Sequence, residues 1–269
     1  DADGIEMRTF MGPSTLDVVI GIMMIVILIE FTRRAAGLAM PIIVLVFLAY
    51  PFIGPWLPGV LYHDGFRLDE TIIFLATTEG ILGTTTHVSA TFIIIFVAFA
   101  SFLMVSRVGD YFNDLAMAAV GWASGGPAKV TVLSGALFGT ISGSAVANVV
   151  ASGTFTIPMM RRVGYDRETA AAVEATSSTG GQITPPVMGA GAFIMSEVLG
   201  IAYIEIAIAG IIPAFLFYVA NYAHCDLNAR KNGMKGLPRE ELPHWRAIAL
   251  HIHKLAPLLL LVWTPMSGV

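Results

Sequence analysis

The sequence predicts an all-α polytopic membrane protein, and three observations carry that prediction. Residues of the AVILMFWYC set make up 56% of the 269 and charged residues only 13%, against about 25% charged in an ordinary soluble domain. Mean hydropathy is +0.76. Apolar runs long enough to cross a bilayer recur along the chain, each closed by charged or proline-rich punctuation. So few charges cannot cover a soluble surface of this size. With 15 Lys+Arg against 19 Asp+Glu the net charge is −4, which excludes a nucleic-acid binder built on a basic patch. A lone cysteine, Cys225, excludes an internal disulfide framework and a multi-cysteine metal site.

The elements follow in order. Leu16 to Phe31 is a first span, closed by Arg33-Arg34. Ala35 to Leu57 is a second, bent by Pro41 and Pro51 and ended by Pro55 and Pro58. His63 to Glu70 is a polar, acidic loop, and Thr71 to Leu82 is an amphipathic stretch too short to span. Thr86 to Ser106 is a third span, and Gly109 to Ser124 reads as an interfacial or connecting helix. Ile201 to Ala223 is a clean span, Asp226 to Arg246 a polar loop, and Ala247 begins another span. No signal peptide is visible. The last apolar run has barely begun when the sequence closes, so a piece of a longer polypeptide is expected.

The middle departs from this pattern. Val130 to Met160 carries no charge and is interrupted by Gly139, Ser142, Gly143, Ser144, Asn148, Ser152 and Gly153. Lys129 flanks one end and Arg161-Arg162 the other. The positive-inside tendency places both flanks in the cytoplasm. A segment that leaves and returns on one side is a re-entrant hairpin, here 128–160, with its tip at Ser142-Gly143-Ser144. With Asp1 outside, the charge walk agrees: Arg33-Arg34, Arg107 and Arg230-Lys231 fall inside, and the acidic 64–70 loop outside.

The following span, 168–198, is also broken. Gly180-Gly181 permits unusual backbone, and Pro185-Pro186 removes two N–H donors, so the helix unwinds around Gly180 to Pro185. Unwound backbone is tolerated at membrane depth only where it is buried in protein or lines a wet cavity. Its freed carbonyls, with hydroxyl and amide oxygens, are hard ligands that suit Na⁺, and half-helix N-termini suit an anion. Two such breaks are a secondary-transporter signature.

The motifs are specific: Gly139-Thr-Ile-Ser-Gly-Ser-Ala-Val-Ala-Asn148, then Ile157-Pro-Met-Met-Arg-Arg-Val-Gly-Tyr165, then Ser178-Thr-Gly-Gly-Gln-Ile-Thr-Pro-Pro-Val-Met-Gly-Ala190. This stretch resembles the large membrane subunit of tripartite ATP-independent periplasmic (TRAP) transporters. The Ser178 to Met188 segment looks most like the TAXI branch, often a fused small-plus-large permease. The resemblance implies Na⁺-coupled symport, with proton coupling as the variant, of an organic acid such as a dicarboxylate by an elevator mechanism. It also implies a periplasmic substrate-binding protein, a small membrane subunit or its fused equivalent, and location in the bacterial inner membrane. The family's large subunit carries two inverted repeats, and one copy of the motif pair is present here. The chain therefore looks like a first half, whose partner is the second half of its own subunit.

On this reading 1–124 supplies scaffold helices, 125–200 the transport element, and 201–269 a further span, a cytoplasmic loop and the start of the next span. Cation ligands are expected at Ser142, Ser144, Asn148, Gly180, Gly181, Ile183 and Pro185. Substrate contacts are expected at Ser144, Thr179, Gln182 and Thr184. Small-residue helix packing at the hairpin and a bare proline kink at the break are the competing explanations. Glu174 is read as interfacial, with proton coupling as the alternative. Arg161, Arg162 and Arg167 are read as topology anchors, and His87 as structural. His251 and His253 do not share a helix face and so form no metal pair.

Three rival classes fit the sequence less well. An intramembrane serine protease using Ser142 lacks a nearby general base and the expected Gly-x-Ser-Gly. A dicarboxylate- or citrate-type symporter would share the physics of the site but dispense with a binding protein. A non-transporting scaffold leaves two coincident helix breaks unexplained. No enzymatic activity is expected.

Overall fold

A computed structural model describes residues 14–256. Every regular element among them is helical. Four helices are long and apolar enough to cross a membrane: Thr15–Ala36, Ala39–Trp56, Thr84–Leu103 and Tyr203–Lys231. The chain divides into two compact units between His87 and Val88.

In the first unit, helix α1 (Thr15–Ala36) starts with a capping box. The Ser14 hydroxyl accepts from the Asp17 amide at 3.3 Å, and the Asp17 carboxylate accepts from the Ser14 amide at 3.1 Å. Helix α2 is Ala39–Ile53. Its Pro41 lies in the first turn, where a missing N–H costs nothing, so only Pro51 interrupts the helix body. Helix α3, Leu68–Ala76, ends earlier than the amphipathic pattern suggested. It buries Ile72 and Ile73, and Ile72 packs on Gly21 of α1, where a Cβ would come within 2.6 Å of the isoleucine methyl.

Helix α4 (Thr84–Val88), whose last residue opens the second unit, leads through a π-helical turn, Ser89–Ile93, into α5 (Ile94–Val105). Helix α6 (Val108–Val120) is more deeply buried than an interfacial helix would be. Tyr111, Phe112 and Ala116 are enclosed, Phe112 meets Phe138 edge-on at 5.7 Å, and Asn113 accepts from Ser134 at 2.6 Å. The amphipathic pattern of α6 therefore faces protein along one side. Residues 88–120 belong to the same compact unit as the hairpin helices that follow.

Helices α7 (Gly126–Ser142) and α8 (Ala145–Arg162) form the hairpin. Pro127 sits at the start of α7, where its fixed φ favours the helix. Gly143 ends α7 with φ +58°, a conformation glycine adopts without cost. Ser144 caps α8, its hydroxyl accepting from the Ala147 amide at 3.3 Å.

Helix α9 (Arg167–Thr179) opens on Asp166, whose carboxylate accepts from the Thr169 amide at 2.7 Å. That bond holds the Asp166 carboxyl below its usual range. Helix α9 ends in a tight turn, Gly180–Ile183, and the backbone is then irregular until α10 (Ala190–Leu199).

Helix α11, Tyr203–Lys231, runs past the residues expected to be a polar loop. Asp226 keeps that segment helical by pairing with Lys129 of α7 and, at 2.8 Å, with Arg230 one turn on. The loop begins only at Asn232. Helix α12, Trp245–Leu250, gives way to a 3₁₀ turn at Ile252–Leu255. The body of the span expected from Ala247 onward lies outside the described residues, as does Asp1.

Candidate functional site

Hairpin and broken helix meet through small residues. A Cβ on Gly139 would lie 2.6 Å from the Gly181 Cα, and one on Gly135 would press on Ser177 at 3.1 Å. Glycine at these positions lets the α7 backbone touch the turn that ends α9. The packing explanation is thus true of the glycines, but it does not account for the polar groups trapped between them.

Asn148 is the first of these, with an exposure of 0%. Its Nδ2 donates to the Gly135 carbonyl at 3.0 Å and to the Ser178 carbonyl at 3.4 Å, so one side chain ties α8 to both neighbouring helices. Its Oδ1 is buried with no hydrogen-bond partner. An orphaned amide oxygen at such a junction carries an uncompensated desolvation cost unless something positive or donating occupies the space beside it. Oxygen chemistry of this kind fits a hard cation.

The break itself is held by its own polar groups. The Thr184 hydroxyl donates to the Gly180 carbonyl at 2.6 Å and lies 3.3 Å from the Tyr218 hydroxyl. Gly189 N–H donates to the Gln182 carbonyl at 2.7 Å, closing the irregular loop. The Tyr203 hydroxyl stands 2.8 Å from the Pro186 carbonyl and 2.6 Å from that of Val187, both in the turn that follows the break. Tyr203 also stacks on Phe193 at 4.3 Å. Tyr203 and Tyr218 are the supports that sequence reasoning missed, because nothing local to α11 marks them as partners of residues 177–187.

On one side of this junction lies a cleft of about 620 Å³. Ser142, Ser144, Gln182 and Ile183 line it, with Phe96 and Phe193 forming an aromatic wall. Asn148, Gly180, Gly181 and Thr184 are buried at the hairpin–break junction. The structure therefore brings most of the expected ligands to one locus and sorts them by depth. Thr179 is not brought there: it is exposed, and its hydroxyl donates to the Ala175 carbonyl at 2.7 Å. Pro185 lies in the turn that follows the break, without lining the cleft.

Glu174 departs from the interfacial expectation. Its exposure is 1%, because α8 covers it. Ser152 donates to it at 2.5 Å, Ser178 at 3.1 Å, and Thr156 on its other oxygen. The sequence signal existed, since Ser152 and Thr156 share a face of α8 one turn apart, but the register against α9 was not legible. Among the described residues no group of three or more His, Cys, Asp and Glu side chains could hold a metal.

Comparison with known proteins fits this geometry. The profile of the "Tripartite ATP-independent periplasmic transporter, DctM component" matches residues 23–268. The chain belongs to the DctM family of TRAP transporters. Among its relatives is the C4-dicarboxylate TRAP transporter large permease protein DctM of Vibrio cholerae, 28% identical over 65% of this chain and 37% of that protein. The ectoine TRAP transporter large permease TeaC of Halomonas elongata is 31% identical over 56% of this chain and 34% of that protein. The isethionate TRAP permease DctMQ of Oleidesulfovibrio alaskensis is 32% identical over 54% of this chain and 22% of that protein. The chain spans about a third of the length of the curated relatives it matches. These relatives are permeases, not enzymes, and DctM-family membership with four apolar spans makes this a multi-pass membrane protein.

Proposed function

We propose that this chain supplies one half-site of a Na⁺-coupled organic-acid permease in the bacterial inner membrane. It works with a periplasmic binding protein, a small or fused membrane subunit, and a second half of its own large subunit. The observation that carries the reading is the buried, partnerless Asn148 Oδ1 at the junction of hairpin and broken helix. Ser142, Ser144 and the Gly180–Ile183 carbonyls complete the oxygen set, Ile183 through its backbone. Gln182 and Ser144, which line the cleft, face the substrate, with Thr184 behind them. Relatives named for C4-dicarboxylate and isethionate transport support an acidic substrate. The Ser178 to Met188 segment supports the TAXI branch. In an elevator cycle residues 125–200 move as one body, and the interlocked α7, α8 and α9 have the cohesion such movement needs.

The test is thermal stability of the purified permease titrated with NaCl against choline chloride at constant ionic strength. A ligand confined to the folded state stabilises it by about 2.7 kcal/mol at a hundredfold excess over Kd. A Na⁺-specific rise is expected; its absence would remove sodium from the proposal and leave proton coupling. The re-entrant topology has its own check. Cysteines placed at exposed Trp122 and Arg161, at the two feet of the hairpin, should react with an impermeant thiol reagent from the cytoplasmic side. Labelling of either from the periplasm would rule out a hairpin that enters and leaves on one face.

A further inference from the structure

Among the described residues two charged side chains are buried, Lys129 and Glu174. Lys129, 3% exposed, has its countercharge in Asp226. Glu174 makes no ion pair with any described residue. Its three hydroxyl neighbours satisfy its lone pairs but bring no charge. A buried carboxylate without a positive partner is expensive, and the usual resolutions are a proton or a bound cation.

An unsatisfied buried oxygen linked to Glu174, Asn148 Oδ1, points to the second resolution. One hydrogen-bonded bridge, through Ser178, and one close contact, through Ser152, join Glu174 to Asn148. Ser178 donates its hydroxyl to Glu174 at 3.1 Å, while its carbonyl accepts from Asn148 at 3.4 Å. The Ser152 hydroxyl stands 2.5 Å from Glu174 and 2.9 Å from the Asn148 carbonyl. The missing positive charge and the orphaned Asn148 Oδ1 are therefore neighbours in one dry junction.

We propose that Glu174 is the fixed countercharge of the cation held at Asn148. It is not a ligand; it acts through space and through Ser152 and Ser178, which fix Asn148. One buried negative charge balances one positive charge, so the site selects a monovalent alkali cation over a divalent one of similar size. This rests on the sodium reading above and adds the source of its charge balance.

The experiment uses purified permease, NaCl against choline chloride at constant ionic strength, and Glu174→Gln, which keeps the shape and removes the charge. The NaCl midpoint of thermal stabilisation is expected to rise at least tenfold, and CaCl₂ is expected not to substitute for NaCl in the wild type. A variant that is less stable in choline but keeps the wild-type midpoint would show a merely structural carboxylate and overturn the proposal. Wild-type protein with no Na⁺-specific rise would instead refute the sodium reading itself. Should Glu174→Gln fail to fold, the wild type still decides. Its Na⁺-minus-choline infrared difference spectrum should contain a perturbed ionised-carboxylate band. A spectrum without such a band, or one showing a protonated carboxyl in both salts, would overturn the assignment.

Discussion

Asn148→Ala is expected to abolish Na⁺-driven uptake by the assembled transporter while leaving membrane insertion intact. The substitution removes the orphaned Oδ1, a side-chain oxygen buried where the hairpin meets the broken helix. It also removes the donor to the Gly135 and Ser178 carbonyls. Leaving such acceptors short of a partner costs about 1–3 kcal/mol. A loss of about 2.7 kcal/mol in cation binding is a hundredfold weakening, enough to take a millimolar site out of the working range. Ser142→Ala should weaken uptake less, because Ser142 lines the accessible cleft and backbone carbonyls nearby can share its work. The measurement is initial uptake rate against NaCl concentration, alongside the amount of protein in the membrane. Wild-type sodium dependence in Asn148→Ala would end the assignment of this junction as the cation site.

Gly143→Ala should have an effect of similar size for a different reason. Gly143 turns the hairpin tip with φ +58°, where an alanine costs about 1–2 kcal/mol. A Cβ there would also overlap the Met188 carbonyl oxygen, so the tip and the loop that carries Met188 must move apart. Overpacking of this kind adds about 1–3 kcal/mol. The tip rests on the segment that lines the cleft, so the strain acts on the site and not only on stability. Both the apparent melting temperature and transport are expected to fall. Gly191→Ala is the control: Gly191 lines the same cleft, yet a Cβ there meets nothing within 4 Å. If Gly143→Ala melts like the wild type and like Gly191→Ala, the tip is not docked on Met188 as described.

How much of this was legible beforehand varies residue by residue. The helix-turn-helix at Ser142-Gly143-Ser144 and the break after Thr179 could be read locally, because glycine, serine caps and paired prolines act on their own backbone. Asn148 could be singled out as an amide in an uncharged run, but its bonds to Gly135 and Ser178 could not be foreseen. The reading failed in two places and stayed open in a third, each governed by contact across the fold. Glu174, expected at the interface, is roofed by Ser152 and Thr156 of α8. Residues 226–231, expected in a loop, stay helical because Asp226 meets Lys129. Helix α6, expected to be interfacial or connecting, is enclosed by its packing on α7, which fits a connecting helix better than an interfacial one. Thr179 was legible as part of a motif, but helix rotation turns it away from the cleft.

By itself the sequence determined that this is a helical membrane protein, which stretches are apolar enough to span, and where the helices must break. Those properties depend on composition and on the dihedral preferences of single residues, which no distant contact is needed to express. Only the tertiary structure decided which broken ends face each other, which polar atoms lie buried without partners, and which acid is enclosed beside them. Burial is a property of the neighbours. Helices that pack through Gly135, Gly139 and Gly181 approach closely enough to exclude water from Asn148 and Glu174. That exclusion leaves a carboxylate without a countercharge beside an amide oxygen without a partner, the arrangement on which the proposed cation site rests.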